Sequence, residues 1–146
     1  MKKFLWALAA VGVAITAGSI LNLLVIRFGG QLVPPPAGAD LTTAEGLRES
    51  LHRMAPRHFV MPFLAHALGT LLAGFLAASL LRRGKLRGAM LTGAVFLAGG
   101  ILAVRMIPAP VWFSVLDLVA AYIPMAWLGY RLQQGLAGRH RTEGGS

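Results

Sequence analysis

Apolar residues are gathered in four long runs along the chain, and shorter polar stretches separate these runs. The runs cover about residues 4–26, 59–81, 88–104 and 111–130. A helix needs roughly 20 mainly apolar residues to cross about 30 Å of hydrocarbon, and a backbone in hydrocarbon must satisfy its own hydrogen bonds. The pattern therefore predicts an all-α membrane domain of four transmembrane helices over residues 1–132. Because the second and third connections are short, it also predicts an up-down bundle.

The connection over residues 28–58 is the one long loop, and it carries a second kind of pattern. It opens with a glycine pair and three consecutive prolines, and residues 42–45 (Thr-Thr-Ala-Glu) fit a helix capping box. Apolar residues then recur at helical spacing, at Leu47, Leu51 and Met54. We predict an amphipathic helix over about residues 43–55 that lies on the membrane surface or caps the bundle. It is either a lid or partner surface, or simply a loop packing its apolar side.

Charge sets the expected orientation. The chain has 14 Lys and Arg against 5 Asp and Glu, a formal net charge of +9. Nine of the basic residues lie near the termini or in the turn between the second and third runs, so these parts are predicted to be cytoplasmic. The long loop is then periplasmic, and the polar, Gly-rich segment 133–146 is predicted to be a disordered cytoplasmic tail. Clusters between apolar runs favour contact with the lipid bilayer and not with nucleic acid.

The first run has one alternative reading, a cleaved secretory signal that begins at Lys2 and Lys3. The run continues through Ile26, which is longer than the apolar core of such a signal. This length favours a retained first helix.

Polar side chains interrupt all four runs at a similar depth. Counted from the outer end of its run, Asn22 is about four residues in, Asp117 about six and His66 about seven, and Arg105 lies at the outer end of the third run. At about 1.5 Å of rise per residue, all of them fall within roughly 10–12 Å of the outer surface. An ionisable residue in hydrocarbon is costly and is a functional hypothesis by default. The predicted binding site comprises Asn22, His66, Arg105 and Asp117, extended by Ser114 and Tyr122.

These groups complement one another in charge. A carboxylate at Asp117 would be stabilised by Arg105 or by a protonated His66. The alternative is that the same groups only bond to each other and fix the register of the helices. Such interhelical hydrogen bonds contribute about 0.6 kcal/mol on average, which is a weak reason to carry a buried aspartate.

Three functions remain open at this point. The first is a membrane protein that binds or conducts a small polar species at the predicted site. The second is a structural or accessory subunit of a larger membrane complex, and ridges of small residues such as Ala65, Gly69 and Ala73 also allow a homo-oligomer. The third is an intramembrane enzyme that acts on lipid or quinone headgroups. The sequence has no zinc, P-loop or hydrolase motif, so we predict no catalytic residue, metal or cofactor, and non-enzymes are favoured.

Four phrases carry a resemblance to a known group of proteins. They are residues 18–22 (GSILN), 34–40 (PPPAGAD), 63–70 (FLAHALGT) and 107–124, which runs from IPAPVWF through LDL to AYIP. With these phrases the span from the first to the fourth helix resembles a family of small bacterial four-helix integral membrane proteins with no assigned function. The resemblance implies a bacterial inner-membrane protein and implies nothing about its activity.

Overall fold

A computed structural model describes the backbone of residues 1–107 and 109–143, and the side chains of residues 1–107 and 109–139. Six α-helices occupy most of this part of the chain. They are α1 (Lys2–Leu32), α2 (Ala44–Leu51), α3 (Val60–Leu80), α4 (Lys85–Met106), α5 (Val111–Ala120) and α6 (Ile123–Glu143). A 3-10 turn, Pro56–Phe59, leads directly into α3.

Four helical segments are long and apolar enough to cross a membrane, as predicted. They are Lys2–Leu32, Pro56–Leu80, Lys85–Met106 and Val111–Arg139, so α5 and α6 together supply the fourth segment. Lys85 of α4 donates a hydrogen bond of 3.5 Å to Gln133 of α6, which places the start of α4 beside the later part of α6. We call that end of the bundle the basic end, and the opposite end, where α2 lies, the loop end.

α3 lies at the centre of the bundle and packs against α1, α4 and α6. Its buried residues are almost all small, and they let neighbouring backbones approach closely. A Cβ placed on Gly69 would lie 2.7 Å from the carbonyl oxygen of Gly18 in α1. A Cβ placed on Gly74 would lie 2.5 Å from the carbonyl oxygen of Ala126 in α6. The small-residue ridges are therefore used within the chain to hold α1 and α6 against α3.

The loop end differs from the prediction in where its helices start and stop. α1 runs on to Leu32 instead of ending near residue 26, because Gly29 packs against Met61 and the glycine pair does not break the helix. α2 is shorter than the predicted 43–55, at Ala44–Leu51. Its N-cap is Thr43, whose side chain accepts a hydrogen bond from the Gly46 amide. The helix therefore starts one residue later than the predicted capping box over residues 42–45, and Gly46 at the N3 position has no side chain to complete such a box.

The fourth segment also differs from the single helix predicted over residues 111–130. α5 stops at Ala120 and α6 starts at Ile123, so the chain breaks at Ala121 and Tyr122. Pro124 lies in the first turn of α6, where its missing amide hydrogen is tolerated. α6 continues to Glu143 and so covers residues 133–143 of the segment predicted to be a disordered tail, while residues 144–146 lie outside the described residues.

Candidate functional site

The candidate site is built around a histidine and an aspartate from two helices. Nδ1 of His66 lies 2.9 Å from each carboxylate oxygen of Asp117. The Tyr122 hydroxyl donates to Asp117 Oδ2 at 2.9 Å and lies 3.2 Å from His66 Nδ1. Asp117 and Tyr122 are buried, at 3% and 2% exposed. Three of the six predicted site residues therefore form one hydrogen-bonded cluster, which we call the His–Asp–Tyr cluster.

Each member is placed by the start or end of a helix. His66 is the seventh residue of α3 and Asp117 the seventh of α5, and both helices begin at the loop end. Tyr122 lies in the break between α5 and α6, so its side chain can return toward Asp117 only five residues earlier. Gly100 of α4 makes room for the ring, because a Cβ there would lie 2.5 Å from the Tyr122 hydroxyl oxygen.

The other three predicted residues stay outside this cluster. Arg105 is exposed and, among the described side chains, forms no ion pair with Asp117. Asn22 lies where α1 crosses α3, because a Cβ placed on Gly69 of α3 would be 3.1 Å from the Cβ of Asn22. Ser114 is buried, and its hydroxyl has no hydrogen-bond partner in the described part of the chain. Similar positions along the four apolar runs therefore did not bring all six side chains together.

A cavity of about 340 Å³ opens above the cluster toward the loop end. His66 and Asp117 lie at its inner end, and 23% of the His66 side chain is exposed against 4% of that of Asp117. Its walls are mostly apolar and include Leu47, Leu51, Met54, Phe59, Ile107 and Phe113. Sequence reasoning predicted a polar site at His66 and Asp117 but not these apolar walls, because the wall residues come from every part of the loop end and carry no local signal.

α2 covers the cavity, and we call Ala44–Leu51 the roof. Leu51 packs with Phe59 and Phe113 in one apolar cluster, with Leu47 at its edge. Arg48 ties the roof to the end of α4, since its Nε and Nη2 donate to the Met106 carbonyl oxygen at 3.2 and 2.8 Å. The roof is therefore held by apolar packing on one side and by a single charged side chain on the other.

Asp40 holds the chain just before the roof. Its carboxylate accepts hydrogen bonds from the Thr42 amide and hydroxyl and from the Thr43 hydroxyl. These bonds, the Thr42 hydroxyl first, hold the pKa of Asp40 below its ordinary value of 3.8. A lowered carboxyl pKa stabilises the folded loop at pH values above the ordinary pKa of the group. This contribution is lost as the pH falls through the folded-state pKa.

His58 provides a second polar group at the cavity. The Ala55 amide donates to His58 Nδ1 at 2.9 Å, and because the direction of a backbone N–H is fixed, this ring nitrogen carries a lone pair. The proton of the neutral ring is then on Nε2, which is buried and has no hydrogen-bond partner among the described residues. Sequence reasoning did not find His58, because its role as a donor depends on the 3-10 turn that places Nδ1 beside the Ala55 amide.

Chemically, the site combines one exposed imidazole edge with a buried acceptor and an apolar volume. Comparisons with known proteins add no further constraint: no protein-family model matches the chain, and neither a curated protein nor a solved structure matches it.

Proposed function

We propose that this chain is a multi-pass bacterial inner-membrane protein that binds a lipid-soluble ligand in the cavity beneath α2. The ligand has an apolar body and a headgroup with a hydrogen-bonding oxygen. The observation that carries the proposal is the position of His66: its Nδ1 is held by a buried carboxylate while its ring edge meets an apolar cavity.

The Asp117 carboxylate defines which hydrogen bond His66 can offer. A carboxylate beside Nδ1 favours the tautomer with the proton on that nitrogen. The remaining nitrogen, Nε2, then accepts a hydrogen bond from a ligand hydroxyl. When His66 takes up a proton, Nε2 becomes a donor to a ligand carbonyl instead. The cluster can thus recognise either form of an oxygen-bearing headgroup.

The apolar walls favour this ligand over the small polar species that the sequence alone suggested. A small polar molecule would leave water among Leu51, Phe59 and Phe113 without compensating polar partners. Burying an apolar body against the same walls contributes roughly 25 cal/mol per Å² removed from water. Ligand pockets commonly pair such walls with a few polar groups that fix orientation.

Binding of two probes with the same apolar tail tests the proposal. The first is 4-decylphenol, whose head has one hydroxyl group that can donate to His66 Nε2, and the second is decylbenzene, which has none. Both are titrated against the protein in phosphatidylcholine nanodiscs, with empty nanodiscs correcting for partition into lipid. We expect the phenol to bind about fivefold more tightly than decylbenzene, since one hydrogen bond contributes about 1 kcal/mol.

Substitution of single histidines shows which residue is responsible for the preference for the phenol. His66→Leu is expected to remove the difference of about fivefold between the probes and to keep the affinity for decylbenzene. His52→Leu is the matched control, because His52 is exposed and does not line the cavity. The proposal fails if protein-loaded nanodiscs take up no more of either probe than empty ones, or if the preference for the phenol survives His66→Leu.

A further inference from the structure

The basic end of the bundle carries a second concave surface, far from the His–Asp–Tyr cluster. A hollow of about 660 Å³ lies between the start of α1 and the turn that joins α3 to α4. Its lining is Lys2, Lys3, Trp6, Ala7, Leu81, Arg82 and Arg83. We call this surface the basic hollow.

The two basic pairs are held together by packing beneath them. Leu81, which is 7% exposed, packs with Ala10 and Val11 of α1, and Ala7 borders the same cluster. This contact fixes the first turns of α1 against the end of α3. Lys2 and Lys3 are therefore brought beside Arg82 and Arg83 by the core, although about 80 residues separate them in the sequence.

Within the described part of the chain, none of these four cations forms an ion pair. Three of the acidic residues, Asp40, Glu45 and Glu49, lie at the loop end, and Asp117 is bonded to His66. Among the described side chains, the hollow therefore presents four positive charges without an acidic partner. Trp6, which is 59% exposed, and Ala7 continue its edge along the apolar surface of α1.

We propose that the basic hollow binds the headgroup of an anionic phospholipid, and binds most tightly one with two phosphate groups. Each basic pair would contact one phosphate, through the bidentate fork of arginine and the point charge of lysine. The acyl chains would leave the hollow past Trp6, whose amphipathic ring suits headgroup depth. This inference rests on the membrane insertion proposed above and is independent of the ligand cavity.

Native mass spectrometry of the full chain released from mixed micelles tests this inference. The probes are cardiolipin, phosphatidylglycerol and phosphatidylcholine with matched acyl chains. We expect retention in the order cardiolipin, phosphatidylglycerol, phosphatidylcholine. The double variant Arg82→Gln/Arg83→Gln is expected to lower cardiolipin affinity by about tenfold or more, because it removes the direct charge-assisted hydrogen bonds to one phosphate.

The matched control is Arg87→Gln/Arg131→Gln, which removes the same charge from exposed positions at the same end but outside the hollow. It is expected to keep wild-type cardiolipin affinity. Equal losses of cardiolipin affinity in the two double variants would overturn the inference, because they would mean that diffuse surface charge binds the lipid. Retention of phosphatidylcholine equal to that of cardiolipin would also overturn it. Lys2→Gln/Lys3→Gln repeats the test at the N-terminus if the arginine variant does not fold.

Discussion

At the scale of single residues, the site depends on a glycine that carries no chemistry. Gly100 is buried on α4, facing the Tyr122 hydroxyl, while its neighbour Gly99 is exposed with open space around it. Tyr122 can donate to Asp117 only because no side chain occupies position 100. Gly99 and Gly100 are neighbours of the same residue type in opposite surroundings, so substitutions at the two positions can be compared directly.

Gly100→Ala is expected to displace Tyr122 and to lower the free energy of unfolding by about 1–3 kcal/mol, as overpacking of a core commonly does. Gly99→Ala is the control and should leave stability unchanged or raise it by up to about 1 kcal/mol, because alanine favours helix. Denaturation in mixed micelles followed by circular dichroism measures both. Equal effects of the two variants would mean that Tyr122 is not held against α4.

Residue chemistry explains which site members were predictable. His66 and Asp117 were found because an ionisable group inside an apolar run needs a partner, and they partner each other. Asn22 and Arg105 were expected with them because depth can be counted along a helix. Depth does not fix the direction in which a side chain leaves the helix, and that direction depends on how the helices pack. Arg105 accordingly lies on an exposed face.

At the scale of elements, the apolar runs predicted all four spans but not their ends. The sequence predicts the start of a loop at the glycine pair 29–30, whereas α1 continues to Leu32 against the first turn of α3. Here tertiary packing outweighs the local preference of Gly, which sequence alone does not weigh. The fourth run predicts one helix, whereas the chain breaks at Ala121 and Tyr122, and Pro124 takes a favoured place in the first turn of the next helix.

The roof is the element whose attachment can be tested most directly. Arg48 donates two hydrogen bonds to the Met106 carbonyl, and Arg57, at the same end, donates none in the described structure. Arg48→Ala is expected to speed hydrogen–deuterium exchange of the α2 amides by about tenfold, since hydrogen bonds to a charged group contribute about 1.5–3 kcal/mol and part is lost to solvent.

Mass spectrometry of α2 peptides measures this exchange. Arg57→Ala is the control and should leave the exchange of these peptides unchanged. If Arg48→Ala also exchanges at the wild-type rate, the roof is held by Leu51 and its apolar neighbours alone.

At the scale of the whole molecule, the two ends of the bundle differ in charge and in the features that they carry. The loop end carries the roof, the cavity and three carboxylates, and the basic end carries Lys2, Lys3 and the Arg82–Arg83 turn. Positive charge near a span favours the cytoplasmic side. The proposed topology therefore places both termini inside and the cavity on the outer side.

Cysteine labelling tests this topology, because the chain has no cysteine of its own. Glu49→Cys is on the exposed side of α2 and Arg83→Cys is in the turn at the basic end. In intact bacterial cells a membrane-impermeant maleimide should label Glu49→Cys, and it should label Arg83→Cys only after permeabilisation. The reverse pattern would place the cavity on the cytoplasmic side.

In the proposed binding mode His66 Nε2 contacts the ligand headgroup while Asp117 holds Nδ1. Nitrogen-15 NMR of histidine-labelled protein in nanodiscs is the decisive measurement, since the chain has only four histidines. 4-Decylphenol should shift the Nε2 signal of His66 and leave that of His52 in place. An unmoved His66 signal at saturating phenol, or equal shifts at His66 and His52, would rule this binding mode out.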